Sequence, residues 1–348
     1  MQLSRRRLNR TLLERQHLLA RSDLTVPEMV SHLVGLQAQE NLPPYLSLAA
    51  RLTDLDPGEV SRALEDRTLV RLLTMRGTIH LLTAEDALTL RQWTQPRQEK
   101  ERKASQNTQA ALHLDTESFN QAVGTALADQ PLAVKALGEA LAATFPDVPA
   151  NALSQLARVN QPLAQLPPRG AWKRSGGVVY QYVDRWLGRP LADPDPPAIV
   201  RRYLRAFGPA SAADVTAWSG VTGMVGALKA MDDLEVFEGP DGRKLFDVPD
   251  ASLADEDVPA PVRLLGTYDN VWLSHAGRDR VTEPEKRKRW MGVNGGVASA
   301  VFVDGMLEGL WRAVDGRVET VELFRKLTRP ERAELGEETA RVEALLAS

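Results

Sequence analysis

The chain has 348 residues and is 43% hydrophobic, which is enough for two or three compact units with their own cores. It contains no cysteine, so disulfide frameworks, thiol nucleophiles and cysteine-bound zinc are excluded. Lysine and arginine total 43 against 46 acidic residues, a balance that argues mildly against a dedicated nucleic-acid binder but allows a protein with one basic face.

The first segment predicts helices followed by a hairpin. Residues 1–21 contain six arginines and a single acidic residue, Glu14, and the leucines of 4–21 lie at helical spacing. Three more helices are predicted: one that begins after the capping residue Thr25, then 46–52 and a helix opened by residues 56–59. Residues 69–75 and 78–82 are β-rich runs on either side of Arg76-Gly77, which is typical of a hairpin. Helices followed by a small hairpin predict a winged helix.

The same order of elements recurs twice, and this repetition is the clearest sign of organisation in the chain. The second copy consists of helices and a β-rich run at 116–129, 132–145, 152–160 and 178–182. The third copy consists of helices and strands at 197–207, 211–218, 222–231, 234–238 and 244–248. Gly239-Pro240-Asp241-Gly242 joins the last two strands and has the composition of a wing tip.

Beyond Pro259 the pattern changes to short strands separated by Gly and Asp turns. The predicted strands are 262–267, 271–274, 298–303, 307–314 and 317–324. A closing helix is predicted over 330–346. Residues 285–296 combine four consecutive cations with Trp290 and a glycine-rich end, which predicts a flexible basic hairpin that contacts phosphates and stacks its indole. The alternative is that Trp290 belongs to the core of the β unit.

Together these elements predict a mainly α protein with small β elements, of the α+β class. The expected domains are winged helix 1 at 1–105, winged helix 2 at 106–190, winged helix 3 at 191–255 and a C-terminal β-rich unit at 256–348. A winged helix-turn-helix suits duplex DNA because an α-helix fits the major groove. The module also serves protein–protein interaction, so the repeats alone leave both functions open.

The surroundings of the protein are predicted from two absences. No apolar run reaches membrane-spanning length, and the basic start is followed by an amphipathic stretch rather than by the apolar core of a signal peptide. With the absence of cysteine, these features predict a cytoplasmic protein that contacts no membrane and holds no metal. We also expect a monomer without a cofactor.

Two glutamines form the most informative local pattern. In Gly35-Leu36-Gln37-Ala38-Gln39 a helix is predicted to end, and two amide side chains stand two residues apart. In a strand-like geometry both point to one face, so they can aim at one small target. An amide accepts a hydrogen bond from water and donates one to a sugar or phosphate oxygen. Read alone, the pair is more typical of polar residues at a helix end than of a functional site.

Five motifs in a fixed order carry a resemblance that covers nearly the whole chain. They are Gly35 to Gln39, Met75-Arg76-Gly77-Thr78-Ile79-His80, Tyr268-Asp269-Asn270, Ser274-His275 with Arg278, and the stretch from Val303-Asp304-Gly305 to Trp311-Arg312. In this order they resemble the winged-helix DNA glycosylases that repair interstrand crosslinks, the AlkZ and YcaQ family. The catalytic motif of that family is Gln, an apolar residue, then Gln or Asp. With Gln39 in the third place, the chain is similar to the branch linked to self-resistance against azinomycin-type DNA crosslinkers.

The resemblance implies a monofunctional DNA glycosylase in which Gln37 and Gln39 are catalytic and jointly position water. It implies a partner too: double-stranded DNA with alkylated purines, such as N7-alkylguanine or N3-alkyladenine, or with interstrand crosslinks. Alkylation at N7 makes the purine a cationic leaving group, so amide dipoles and geometry can replace a pair of carboxylates. No lysine lies beside the motif to form a covalent intermediate. A crosslinked base cannot leave the duplex freely, so we expect an open cleft.

Further residues are predicted to contact DNA, in part because of the resemblance. They are Arg76, His80, Asn270, His275, Arg278, Lys286, Arg287, Lys288 and Arg289. Each has a structural alternative: the histidines as hydrogen-bonded interior groups, Asn270 as part of a turn, Arg76 as a solvated hairpin tip and the cationic run as a solvated face.

The rival function is a non-enzymatic winged-helix regulator that reads an unmodified DNA sequence. Its recognition helix would be 222–231, which offers Lys229 but otherwise mostly Gly, Ala, Val and Met. Such side chains are poorly suited to reading base edges. A protein-interaction module that has lost catalysis also remains open.

Overall fold

The computed structural model describes residues 1–291 and 298–348, and it combines helices with small antiparallel sheets. The helices are α1 (Arg5–Arg15), α2 (Val26–His32), α3 (Leu42–Arg51), α4 (Pro57–Glu65), α5 (Ala84–Trp93), α6 (Gln95–Ala104), α7 (Thr116–Ala126), α8 (Val134–Ala142), α9 (Ala150–Asn160), α10 (Val183–Leu187), α11 (Pro196–Phe207), α12 (Ala212–Ser219), α13 (Met224–Lys229), α14 (Asn270–Leu273), α15 (Pro284–Trp290) and α16 (Arg329–Ala347). The strands are β1 (Leu36–Gln37), β2 (Leu69–Leu73), β3 (Ile79–Thr83), β4 (Leu132–Ala133), β5 (Leu163–Gln165), β6 (Val179–Tyr182), β7 (Glu235–Glu238), β8 (Lys244–Asp247), β9 (Arg263–Leu265), β10 (Ser299–Val303), β11 (Met306–Val314) and β12 (Arg317–Leu323). The α+β class is confirmed.

Local capping signals set the helix starts of the first unit. Thr25 and Glu28 form a capping box at the start of α2, and the side chain of Asp56 accepts from the Gly58 N–H before α4. The hairpin predicted around Arg76-Gly77 is present as β2 and β3, joined by a short 3₁₀ turn. The order of four helices and a hairpin is confirmed.

The hairpins of the first two predicted units form one sheet. Its strand order is β1-β3-β2-β5-β6-β4, and β2 pairs with β5 through Arg71↔Gln165 and Leu72↔Ala164. Pairing satisfies the strand edges that two separate wings would leave open. The predicted boundary at residue 105 separates the helices of the first unit from those of the second, but the strands of both units belong to one sheet. We retain this boundary only as a proposal.

The third copy agrees with its sequence pattern. Ser211 and Asp214 form a capping box at α12, and Gly220 ends that helix with a φ of +79°. Strands β7 and β8 form a two-stranded hairpin with its turn at residues 239–242. The third helix, α13, has six residues and is shorter than predicted.

The C-terminal unit is a four-stranded antiparallel sheet in the order β12-β11-β10-β9, against which α16 packs. Two predictions within this unit were wrong. Residues 271–274 were predicted as a strand, but Asp269 accepts from the Val271 N–H at 3.0 Å and caps the one-turn helix α14. The predicted basic hairpin is the helix α15 over the residues that the structure describes, because Pro284 occupies its first turn. Asn294, Gly295 and Gly296 lie outside the described residues.

The interior of this unit contains Trp290. Its ring stacks on Trp272 with 4.3 Å between centroids, and its Nε1 donates to the Ala298 carbonyl oxygen at 2.8 Å. The core alternative for Trp290 thus describes its position. In the described part of the chain, no helix is both long and apolar enough to cross a bilayer.

Candidate active site around Gln37 and Gln39

The glutamine motif follows a backbone turn that requires glycine. Gly35 has a φ of +92°, and a Cβ there would lie 2.4 Å from Leu82 Cδ2. The chain then enters β1, where Gln37 is paired with His80 on β3. The helix predicted to end before the motif is α2. The strand-like geometry predicted for the motif is present at Leu36 and Gln37, whereas Gln39 lies beyond the strand in a bend.

The backbone of the motif is fixed by three separate parts of the fold. The Ala38 N–H donates to the Ile79 carbonyl oxygen at 2.7 Å. The buried Arg71 donates from Nη2 to the Ala38 carbonyl oxygen at 2.7 Å, and Asn270 donates from Nδ2 to the Gly35 carbonyl oxygen at 3.0 Å. These bonds leave the glutamine side chains little freedom of position, as a preorganised site requires.

The amide of Gln37 is oriented by a cation. Arg76 Nη2 donates to Gln37 Oε1 at 3.0 Å, and the Thr78 hydroxyl lies 3.3 Å from the same oxygen. Because a guanidinium can only donate, it fixes which end of the amide faces it. The carbonyl oxygen is therefore used inside the protein, and the amide nitrogen of this residue, which is 7% exposed, is the group left to donate to a ligand.

The amide of Gln39 is held by the same turn. Its Oε1 accepts from the Ile79 N–H at 3.2 Å, while the residue itself is exposed. An amide oxygen has two lone pairs, so one remains for a further donor such as water. Both glutamines thus bond to the Thr78-Ile79 segment.

Arg76, which bonds to Gln37, is itself held by His80. His80 is 1% exposed; its Nε2 lies 3.0 Å from Arg76 Nη2 and its Nδ1 lies 3.0 Å from the Thr78 carbonyl oxygen. The guanidinium donates, so Nε2 accepts and Nδ1 carries the proton. Burial, and then the Arg76 charge, hold the pKa of His80 well below its usual value. Burial, and then Arg278, lower the pKa of Arg76 to about 10.

Two further arginines extend positive charge away from Gln37. Arg278 and Arg287 line a cavity of about 400 Å³ together with Lys288, and one carboxylate, Asp279, belongs to the same lining. Burial, and then the Arg287 charge, lower the pKa of Arg278. Over residues 1–291 and 298–348, no carboxylate forms an ion pair with either guanidinium. Cations without partners around a cavity suit an anion such as phosphate.

The other predicted phosphate ligands of the cationic run are already paired. Lys286 Nζ lies 2.6 Å from Glu308 Oε1, and Lys288 Nζ lies 3.0 Å from Glu285 Oε1. Arg289 pairs with Glu322 and lies over the Phe324 ring, 4.3 Å from its centroid. The helix α15 therefore presents one unpaired cation, Arg287, among the described residues.

Two predicted DNA contacts lie in the interior instead. His275 is 4% exposed; Ser274 Oγ lies 2.9 Å from its Nδ1, and its Nε2 lies 3.1 Å from the Phe207 carbonyl oxygen. Burial, and then Arg280, lower the pKa of His275 to about 3. Asn270 is 5% exposed and uses its amide on Gly35. For His275 the geometry corresponds to the structural alternative, whereas Asn270 begins α14 and is not part of a turn.

Sequence reasoning missed the residues that support the motif. Thr78 stood within a quoted motif but had no role, and Asn270 was placed at the DNA. Arg71 was overlooked, although a single cation within the apolar run of residues 69–73 indicates a buried partner. In the described residues no cluster of three or more metal-ligating side chains occurs.

Comparison with known proteins identifies the family. The model of the DNA glycosylase AlkZ-like family matches residues 30–345. The chain belongs to this family. It is accordingly a DNA glycosylase, and the region around Gln37 and Gln39 lies inside the matched segment.

Two Streptomyces sahachiroi matches agree with this assignment. A protein named interstrand DNA cross-link repair glycosylase is 27% identical over 324 residues, which cover 87% of this chain and 86% of the relative. The solved structure of the DNA glycosylase AlkZ aligns with a TM-score of 0.84 at 22% identity and covers 100% of this chain and 98% of that one. At that identity the structural likeness shows the α+β fold.

Proposed function

We propose that this glycosylase hydrolyses the N-glycosidic bond of cationic alkylpurines, N7-alkylguanine above all, and unhooks azinomycin-type interstrand crosslinks. Gln37 and Gln39 are its catalytic pair, and the observation that carries the proposal is that both amides are held by one turn. The name of the Streptomyces sahachiroi relative supports crosslink repair as the substrate class.

The protonation states at the site support a substrate that is already cationic. A neutral purine needs a proton before it can leave, and a general acid works best with a pKa near the operating pH. His80 is neutral and buried, and Arg76, with a pKa of about 10, is a weak acid. An alkylated purine needs no proton, because its positive charge is neutralised as the glycosidic bond breaks.

The two glutamines divide the work on the attacking water in our proposal. Gln39 accepts a hydrogen bond from the water through its remaining lone pair, and Gln37 donates a hydrogen bond from its amide nitrogen to the water or sugar oxygen. Arg76 and Thr78 act as positioning residues, since they hold the Gln37 carbonyl and not the substrate. Hydrolysis is direct and no covalent enzyme–sugar bond forms.

The DNA face is proposed to centre on Arg278 and Arg287, because these cations are unpaired and lie on the Arg76 side of the glutamines. The other three cations of α15 are paired with glutamates and contact phosphate only if those ion pairs break; they are Lys286, Lys288 and Arg289. The three buried residues predicted at the DNA support the fold instead; they are His80, Asn270 and His275. We also propose that the enzyme acts on double-stranded DNA as a cytoplasmic monomer built from the three winged helices and the C-terminal unit.

The test uses duplexes with one N7-methylguanine or with one azinomycin-type crosslink, scored by alkali-labile strand cleavage. Wild type should cleave both, and Gln37→Ala/Gln39→Ala should cleave neither. The matched control is Gln106→Ala/Gln109→Ala, which removes two exposed glutamines elsewhere. Retained activity in the first double variant removes the proposed pair, and cleavage of the monoadduct alone restricts the enzyme to single alkylated bases. DNA binding without product in wild type would instead favour the regulator.

A further inference from the structure

A row of polar side chains crosses the six-stranded sheet on the face opposite to Gln37. Neighbouring residues of a strand point to opposite faces, so the pair Gln37↔His80 and the pair Arg71↔Gln165 belong to different faces. On β6, Tyr180 is paired with Gln165 and continues the second face. Arg71, Gln165 and Tyr180 therefore lie side by side across three strands.

Two further arginines approach this row, one from the loop after β5 and one from α9. Gly170 has a φ of +90° and packs on the Arg71 side chain, because a Cβ there would lie 2.5 Å from Arg71 Cδ. Arg169 directly precedes this contact. Burial, and then the Arg169 charge, lower the pKa of Arg71 to about 10. Burial raises the pKa of Tyr180, and the charges of Arg158 and Arg169 oppose that rise.

The three guanidiniums have no negative partner in the part of the chain that the structure describes. Over residues 1–291 and 298–348, no carboxylate forms an ion pair with Arg71, Arg158 or Arg169, and the Nε atom of each is buried without a hydrogen-bond partner. Like charges that lie close together destabilise one another unless an anion neutralises them. Arg158 and Arg169 are half-buried, so an anion can reach them from solvent, whereas Arg71 is only 2% exposed.

The position of this cluster relative to the glutamine motif indicates which anion it binds. Arg71 Nη2 donates to the Ala38 carbonyl oxygen at 2.7 Å, so the cluster contacts the motif from one face of the sheet. Arg76 contacts the motif from the other face, through Gln37. A DNA strand that lies across the motif therefore has cations on both sides of the reacting sugar.

We propose that Arg158 and Arg169 bind a second backbone phosphate of the DNA, on the opposite side of the glutamines from Arg278 and Arg287. The inference rests on the proposed function and adds two positioning residues, which hold the strand and not the reacting base. Guanidiniums suit this ligand because their N–H groups bind phosphate oxygens in pairs. With a phosphate held on each side, the sugar between them stays at the glutamines without a deep pocket for the base.

The first experiment measures binding to an undamaged duplex, so that it does not depend on excision. Arg158→Gln/Arg169→Gln should lower the slope of log affinity against log salt by about 0.9, the value for one phosphate contact. The matched control is Arg189→Gln in the segment after α10, because the Arg189 guanidinium is already neutralised by Glu85 at 2.6 Å. The control should have the wild-type slope. An unchanged slope in the double variant would overturn the proposal.

A variant that retains the charge separates phosphate binding from packing. In Arg158→Lys/Arg169→Lys the positive charge remains while the forked donors are lost, so the salt slope should stay at the wild-type value. Arg158→Gln/Arg169→Gln should melt no lower than wild type, because it removes like charges that no carboxylate neutralises. A slope that falls equally in both double variants would assign the loss to packing and contradict the proposal.

Neutral methylphosphonate linkages, placed at one phosphate at a time in a duplex with a single N7-methylguanine, locate the contact. At the phosphate bound by Arg158 and Arg169, wild type should lose affinity roughly five- to tenfold, and Arg158→Gln/Arg169→Gln should lose nothing further. This phosphate should lie on the other side of the lesion from the one to which Arg278→Ala becomes insensitive. The same phosphate for both variants would contradict the proposal. Absence of excision with these binding patterns intact would count against the proposed function alone.

Discussion

The polar side chains of the glutamine motif and those of the cationic run on α15 differ in how they are bonded within the protein. At the motif, Arg71, Arg76 and Asn270 bind carbonyl oxygens, and the amide nitrogens of the glutamines stay available for other partners. On α15, most of the charge is neutralised by glutamates from the helix itself and from the C-terminal sheet. The two neutral glutamines are thus held in fixed positions. The four cations of α15, in contrast, have little unneutralised charge with which to bind a ligand. The two regions therefore differ mainly in how many polar groups remain without a protein partner, and less in their formal charge.

The largest effect should come from the motif. Gln37→Ala removes a donor that Arg76 and Thr78 hold in place, so single-turnover excision of N7-methylguanine should fall roughly 10²–10³-fold, as for other preorganised donors. Gln37 is 7% exposed, and its loss leaves the Arg76 and Thr78 donors without this acceptor, so the free energy of unfolding should also fall by about 1–3 kcal/mol. A loss of activity that merely follows a loss of folded protein would contradict the catalytic role.

A smaller loss is expected from the support behind the motif. Asn270→Ala leaves the Gly35 carbonyl oxygen without its donor, so the glutamines lose position and excision should fall about 10- to 100-fold in kcat with KM nearly unchanged. The buried unpaired carbonyl should also cost about 1–3 kcal/mol in the free energy of unfolding. Asn160→Ala, which breaks a hydrogen bond to Asn120 elsewhere, is the control for stability without a kinetic effect. Weaker DNA binding with a normal kcat would instead support the original prediction that Asn270 contacts DNA.

The cationic region should respond through affinity. Arg278→Ala and Arg287→Ala should each reduce the slope of log affinity against log salt by about 0.9, the value for one phosphate contact. Lys288→Ala should leave the slope unchanged, because that side chain is paired with Glu285. Filter binding or fluorescence anisotropy on an undamaged duplex between low and moderate salt measures this difference. Equal slopes for all three variants would mean that α15 releases its ion pairs on DNA.

The smallest effect is a predicted absence of change. Burial keeps His80 neutral above its lowered pKa, and Arg76 stays protonated until the pH approaches its pKa of about 10. Since a lowered pKa means earlier loss of the proton on raising pH, the single-turnover rate should be flat from pH 6.5 to 9 and decline only as pH nears 10. A bell-shaped profile with a midpoint between pH 6 and 8 would show that His80 titrates in the reaction.

Local signals explain what the sequence could predict. Thr25, Asp56 and Ser211 cap helices through neighbours two or three residues away, so the helices of the winged units could be placed without knowledge of the fold. The same kind of signal exposes the errors: Asp269 and Pro284 mark helix starts, but Val271-Trp272 and the glycine-rich end of the cationic segment suggested β structure. The glutamine pair was found through its motif and its resemblance.

Long-range pairing explains what the sequence could not predict. The β2–β5 pairing joins residues more than ninety positions apart, and nothing within either segment specifies the other. Asn270 and Gly35 meet only after the C-terminal unit packs on the first. Likewise, the glutamates that neutralise Lys286 and Arg289 lie on the later strands β11 and β12, so a reading of the run itself counts the cations without their partners.

The turn that holds Gln37 also receives a contact from the third winged helix, because Arg76 Nη1 donates to the Trp218 carbonyl oxygen at 2.6 Å. Together with Asn270 from the C-terminal unit, this makes the environment of the glutamines a product of distant stretches of chain. A gene fusion that carried only residues 1–105 would keep Arg76 and Thr78 beside the glutamines, but it would lose Trp218 and Asn270, which hold Arg76 and the Gly35 backbone. We therefore expect a fusion protein to be active only if it contains nearly the whole chain, and not if it contains the first unit alone.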